Sequence, residues 1–106
     1  MKDIRKIKVC STVFSKGMGL RFKKKIVDEA YVFPFDKPVK ATIDMFFVHF
    51  PIDMIFLDKD KKIIEIKEDF KPYKFYFPKN KFSFLVELPN GYVKKQRLKI
   101  GKKVEF

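Results

Sequence analysis

Residues 42–57 read T-I-D-M-F-F-V-H-F-P-I-D-M-I-F-L, apolar enough for the centre of a core yet carrying Asp44, His49 and Asp53. From residue 52 to residue 57 the apolar character is nearly continuous, the pattern of a strand covered on both faces and so placed centrally. Pro51 breaks the chain before that strand. A carboxylate in a dry interior is expensive unless something pairs with it. The three polar residues are therefore the place to look for anything beyond packing, and Asp53 is expected to be tied down as scaffold.

Working outward, Asp58-Lys59-Asp60-Lys61 has turn composition and leads into residues 62–67, where Ile63, Ile64 and Ile66 predict another strand. That pair is the clearest hairpin of the chain. Phe82 to Leu88 predicts a further strand, closed by Pro89-Asn90-Gly91. Residues 92–98 read as a short helix and 99–106 as an edge strand, with Gly101 in a turn. Upstream, residues 4–10 alternate apolar and basic side chains, as a half-exposed strand does. Residues 11–22 hold two glycines and room for one helical turn. Tyr31-Val32-Phe33 predicts a strand stopped by Pro34, and residues 39–48 a second strand ahead of Pro51. Short strands at this spacing predict a mainly β chain, a compact β-sandwich or partly closed barrel of about seven to eight strands with one or two short helices. No repeat, linker or low-complexity segment divides it, so residues 1–106 are expected to form a single domain.

Fourteen Phe and four Tyr supply enough large side chains to bury a core without covalent staples. The one cysteine, Cys10, rules out an intramolecular disulfide and a thiolate-built metal centre, and reads as a small buried filler. A reducing, cytoplasmic setting fits. Residues 1–8 are charged and lack the apolar stretch of a signal peptide. The 42–57 run is shorter than the ~20 residues of a bilayer span and holds Pro51 and two acids. A soluble protein with no membrane association is expected.

The net charge is +12, carried by 22 Lys and three Arg against 13 acids. With one Gln, two Asn and no Trp, this is a heat-adapted type of composition, so part of the charge reflects habitat. Its distribution is uneven: residues 1–25 carry +8 and residues 26–58 carry −4. Such a surface attracts polyanions weakly at low salt through electrostatics alone.

Four segments resemble one known family. Phe50-Pro51-Ile52-Asp53-Met54-Ile55-Phe56-Leu57-Asp58 is similar to the Ile-Pro-Leu-Asp motif and apolar strand of domain-of-unknown-function family 192. Gly17-Met18-Gly19-Leu20-Arg21 looks like its Gly-Leu-Met-x-Arg stretch, and Tyr31-Val32-Phe33-Pro34 like its Phe-Val-Phe-Pro strand end. Leu85-Val86-Glu87-Leu88-Pro89-Asn90-Gly91 looks like its Val-Leu-Glu-Leu-x-x-Gly signature. Order and spacing agree over residues 7–106. The resemblance implies a compact β fold and no reaction, since the family has no established activity; many members are exported, and this chain shows no export signal. It departs from the family at Val48-His49, where an Asn-Thr pair would sit, at Met45-Phe46 in place of an aromatic-Met pair, and at Gly101-Lys102 in place of Gly-Asp.

Three groups of residues are candidates for chemistry. A chain so poor in Arg keeps it where a planar fork is needed, because Arg grips a carboxylate bidentately and Lys does not. Arg21 is therefore expected to pair with Asp53 or Glu87 and fix residues 11–25 over the sheet, with ligand anchoring as the other reading. Asp44, His49 and Asp53 have the chemistry of a hard-metal or acid–base centre. Residues 44 and 49 face opposite sides of an extended strand, however, and His49 reads more simply as a packed, hydrogen-bonded side chain. No catalytic residue, metal ligand or cofactor is assigned. Third, residues 70–84 interleave aromatics with lysines, and Lys71, Tyr73, Lys74, Phe75, Tyr76, Lys79 and Lys81 could offer bases a cationic stacking surface. Set against this is a loop whose rings cover the core while its lysines stay wet. The preferred expectation is a non-catalytic binding module with a patch where Arg21, His49, Asp53 and Glu87 converge. The alternative is single-stranded nucleic-acid binding through residues 70–84, and a small metal-dependent hydrolase comes third. Partner identity and oligomeric state are not legible.

Overall fold

The computed structural model describes residues 1–10, 26–45 and 48–106. Arg21, its glycine-containing motif and the helical turn expected in residues 11–22 lie outside them.

The chain is mainly β. Among the described residues, seven strands form two sheets: β1 (Lys6–Val9), β2 (Glu29–Val39), β3 (Ile43–Asp44), β4 (Ile52–Leu57), β5 (Ile63–Phe70), β6 (Phe75–Tyr76) and β7 (Phe82–Pro89). One short helix, α1 (Tyr92–Lys95), follows β7. The larger sheet has the order β1-β2-β7-β4-β5, and β3 and β6 make a two-stranded sheet of their own. The β1–β2 pair is parallel, and every other pair is antiparallel.

β4 is buried along its whole length, as its unbroken apolar run requires. Alternation sends its side chains into two separate cores. Ile52, Met54 and Phe56 join Tyr31, Phe33, Phe70, Phe82 and Leu85 on one face. Ile55 and Leu57 join Ala30, Val32, Ile63, Val86 and Leu88 on the other, where Tyr92 and Val93 of α1 and Val104 close over them. Each buried Val, Leu, Ile, Phe or Met among them contributes about 1.5–3 kcal/mol by leaving water. The first face is roofed by the small sheet, with Tyr76 stacked on Phe56 at a centroid distance of 5.7 Å.

The expected β4–β5 hairpin forms. Asp58 Oδ1 accepts the amides of Asp60 at 2.8 Å and Lys62 at 2.9 Å, and Lys61 takes the left-handed conformation at φ 64°. Elsewhere local signals misplace boundaries. β2 does not stop at Pro34 but runs to Val39. β1 lines it only as far as Val32, and its register with β7 shifts between Pro34 and Val39, so the proline amides are missed where the ladder is already interrupted. Of the strand expected over residues 39–48, the described residues show Val39 as the end of β2 and a short strand at Ile43–Asp44, and residues 46–47 lie outside them. The helix expected over residues 92–98 ends at Lys95. Residues 99–106 make a single bridge, Lys62 to Lys103, instead of a strand. Left-handed backbone at Arg97 (φ 55°) and Gly101 (φ 93°) turns the chain and leaves only a short extended piece to meet β5. β1, expected to be half-exposed, is exposed at all four residues.

Candidate nucleic-acid interface

Asp53 is fully buried on β4. Its Oδ1 accepts the Asp69 amide at 3.0 Å and its Oδ2 the Val93 amide at 2.9 Å. The second bond explains Gly91, which stands at the N-cap of α1 with φ 87° and no side chain to offer. Asp53 supplies the missing acceptor from a distant strand. Glu87 pairs with Met54 and with Tyr31 across the sheet, whereas Asp53 pairs with Leu88. Opposed residues share a face, so Asp53 and Glu87 point to opposite sides of the sheet and form no common patch. Glu87 lies instead with Tyr31 and Cys10 on the Met54 face, where burial and the nearby Glu29, Cys10 and Glu87 push the Tyr31 hydroxyl up.

His49 is exposed and stands beside Tyr73, with Nδ1 3.4 Å from the hydroxyl and ring centroids 5.8 Å apart. Among the described residues no group of three or more His, Cys, Asp or Glu is placed to hold a metal ion. Asp44 sits on β3 opposite Phe75 and does not join Asp53. A cavity of about 440 Å³ lies by α1, bordered by Met1, Lys2, Tyr92, Leu98, Lys103 and Val104; His49, Asp53 and Glu87 do not line it.

Residues 70–84 divide between core and surface. Phe70 and Phe82 are buried, whereas Tyr73 is 49% exposed, Phe75 52% and Phe77 70%. The reason is strand parity in and around β6. Tyr76 turns inward, packs against Phe56 and Phe70, and donates its hydroxyl proton to Glu65 on β5. Phe75 and Phe77 then must turn outward. Tyr76 thus belongs with the core and not with the stacking surface expected from the sequence. Phe77 takes its place, and the odd-numbered spacing 73, 75, 77 was the signal for it.

Glu65, which the sequence did not single out, is the hub of this arrangement. Besides the Tyr76 hydroxyl it accepts the Lys79 amide at 3.0 and 3.1 Å, the Asn80 amide at 3.0 Å and the Asn80 side-chain amide at 3.0 Å. Burial opposes its ionisation, but the bonds from Tyr76, Lys79 and Asn80 outweigh burial and hold the carboxyl below its ordinary range. Burial, and Glu65 as acceptor, push the Tyr76 hydroxyl up to about 12. On the other side of the loop, Met45 donates its amide to the Lys74 carbonyl at 2.9 Å and accepts the Tyr73 amide at 3.0 Å. These bonds hold Tyr73 at φ 58°, an uncommon conformation for a bulky residue.

Lys71, Lys74, Lys79 and Lys81, of the same segment, are all exposed. Lys71 is committed to Asp69, 2.9 Å away, and its hydrogen bond is the main cause holding the Asp69 carboxyl low. The segment thus presents three outward rings, Phe75 stacked with Phe77 and Tyr73 against His49, with exposed lysines between and after them in the sequence.

Asp53 thus ties the central strand of this mainly β fold to the start of α1 after β7. Residues 2–106 match the family described as DUF192, Uncharacterized ACR, and the chain belongs to that family. The UPF0127 protein PF1050 of Pyrococcus furiosus is 27% identical over 106 residues, covering 99% of this chain and 90% of that protein. A UPF0127 protein of Thermococcus sibiricus is 31% identical over 103 residues, covering 95% of this chain and 66% of that one. The fold is shared with a Sinorhizobium meliloti protein described as a candidate transcription regulator, with a TM-score of 0.88 at 22% identity over 93% of this chain and 79% of that chain. It is shared too with a protein of unknown function from Novosphingobium aromaticivorans, with a TM-score of 0.87 at 24% identity over 97% of this chain and 75% of that chain. Among the described residues no helix is long and apolar enough to cross a membrane.

Proposed function

We propose that this protein is a non-catalytic binding module whose ligand is single-stranded nucleic acid, held along residues 71–81. One observation carries the reading: Tyr73, Phe75 and Phe77 are about half exposed or more, in one segment with the exposed Lys74, Lys79 and Lys81. Outward rings cost solvation unless something covers them, and a lysine-flanked row matches a ligand that is aromatic in its bases and anionic in its backbone. The patch built on Arg21, His49, Asp53 and Glu87 is not carried forward, because Asp53 and Glu87 face apart. Nor is the metal-dependent hydrolase, because both Asp53 oxygens are engaged by amides.

The test is fluorescence anisotropy of labelled oligo(dT) and oligo(U) at about 50 and about 200 mM salt, the range over which purely ionic binding collapses. Affinity is expected to survive the higher salt and to fall at least about tenfold when Tyr73, Phe75 and Phe77 are all replaced by Leu, each stacked base being worth ~1–3 kcal/mol. Binding that vanishes at the higher salt, or that ignores the triple substitution, overturns the reading. So does a wild-type dimer in size-exclusion chromatography that the same substitution converts to monomer, because the rings would then serve self-association.

A further inference from the structure

We propose that the cavity beside α1 binds a small organic anion with an apolar body, the chemistry of a fatty carboxylate. It is a second site, since none of residues 71–81 borders it. The chain builds it by a detour. α1 ends at Lys95, the Leu98 amide returns to the Val93 carbonyl at 3.0 Å, and left-handed backbone at Arg97 and Gly101 turns the chain twice. Residues 102–104 then come back to the start of β5, where the Lys102 carbonyl accepts the Ile63 amide and Val104 donates to the Lys61 carbonyl, both at 2.9 Å. The space bordered by the helix and this returning segment is about 440 Å³. Small-molecule sites run from about 300 to about 1,000 Å³.

The border is of two kinds. Tyr92 and Val104 are buried, and Met1 and Leu98 are half-buried, which supplies an apolar floor. Lys2, Lys102 and Lys103 are exposed at the rim, against a single acid, Glu105. Among the described residues, no hydrogen bond or ion pair engages any of these three ammonium groups. Asp3 accepts the Gln96 side-chain amide at 2.8 Å and does not border the cavity. An apolar floor under a net positive rim complements a molecule whose hydrocarbon part leaves water while its charge stays among cations. The site is also preformed. The Tyr92 hydroxyl donates to the Lys2 carbonyl, so the N-terminal stretch is tied to the helix as the returning segment is tied to β5. Binding therefore orders little of the protein.

The test is titration of isotope-labelled full chain with octanoate through the millimolar range, followed by amide chemical shifts. Octanamide and acetate serve as the probes that lack the charge and the hydrocarbon chain. Octanoate is expected to shift the amides of Leu98, Lys103 and Val104 in a saturable way and to leave Phe75 and Phe77 unmoved. Octanamide should bind about fivefold more weakly, as should octanoate to the Lys102→Gln/Lys103→Gln variant, the scale of a few exposed charge pairs. Thermal melting checks that the variant is folded. No saturable shift with octanoate, or shifts confined to residues 73–77, overturns the site. Octanamide binding as tightly as octanoate overturns its anion preference, and acetate matching octanoate overturns the apolar floor. An unchanged Kd in the double variant counts against the lysine rim.

Discussion

Asp53 and Glu65 are both buried carboxylates, Asp53 held by two backbone amides and Glu65 by amides and the Tyr76 hydroxyl. Replacing Asp53 by Asn keeps one oxygen acceptor and sets an NH2 donor against the other of the two backbone N–H groups. The expected loss is about 2–4 kcal/mol, read as a lower urea midpoint; an unchanged midpoint would show that the two bonds contribute nothing. Glu65 gives a pH signature. Its folded carboxyl titrates below the ordinary 4.5, so its stabilisation is whole above that value and is lost as pH falls through the folded one. The Glu65→Gln variant should therefore be less stable than wild type at neutral pH, and the difference should narrow on acidification below 4.5. Tyr76 runs the opposite way. Its contribution is whole below pH 10.0 and lost as pH climbs through about 12. Tyrosinate absorbance should register a component titrating near pH 12 in wild type that moves earlier in Glu65→Gln.

At the scale of elements, two turns set the frame. In the β4–β5 turn Asp58 holds two amides, and Asp58→Ala is expected to cost about 1–2 kcal/mol. At α1 the left-handed Gly91 admits the chain to the helix, and no atom lies within 4 Å of where a Cβ would stand. Gly91→Ala should thus cost only its backbone strain, about 1 kcal/mol, with no added clash. A loss several times larger in thermal melting would mean that the turn must rearrange to accept a side chain. β2 shows the converse: prolines that end a strand in isolation are carried through when a bulge falls where the ladder is already broken.

Across the whole molecule, net charge and ligand contact are different quantities. A charge of +12 yields attraction to any polyanion, but only lysines beside the rings release counterions on stacking. Lys71 is engaged by Asp69, which leaves Lys74, Lys79 and Lys81. Three contacts predict a slope of about −2 in log K against log salt for a single strand. Replacing those three by Gln should flatten the slope while leaving the melting temperature nearly unchanged. A slope that stays steep would place the contacts on other lysines.

The apolar run at residues 52–57 sufficed to predict a covered central strand, and the turn residues at 58–61 its hairpin, because burial and turn chemistry act over a few residues. The family was legible too, since its motifs are short and in order. The interleaving of rings and lysines in residues 70–84 marked the segment, but not which rings face out. That depended on Tyr76 finding Glu65, eleven residues away on another strand. Likewise, nothing local to Asp53 foretells an amide forty residues downstream, or that Glu87 lies across the sheet from it. Periodicity ranks side chains by face within one strand. Only pairing register and the packing of one layer on another decide which faces coincide, and these are set by the joint burial of the whole chain.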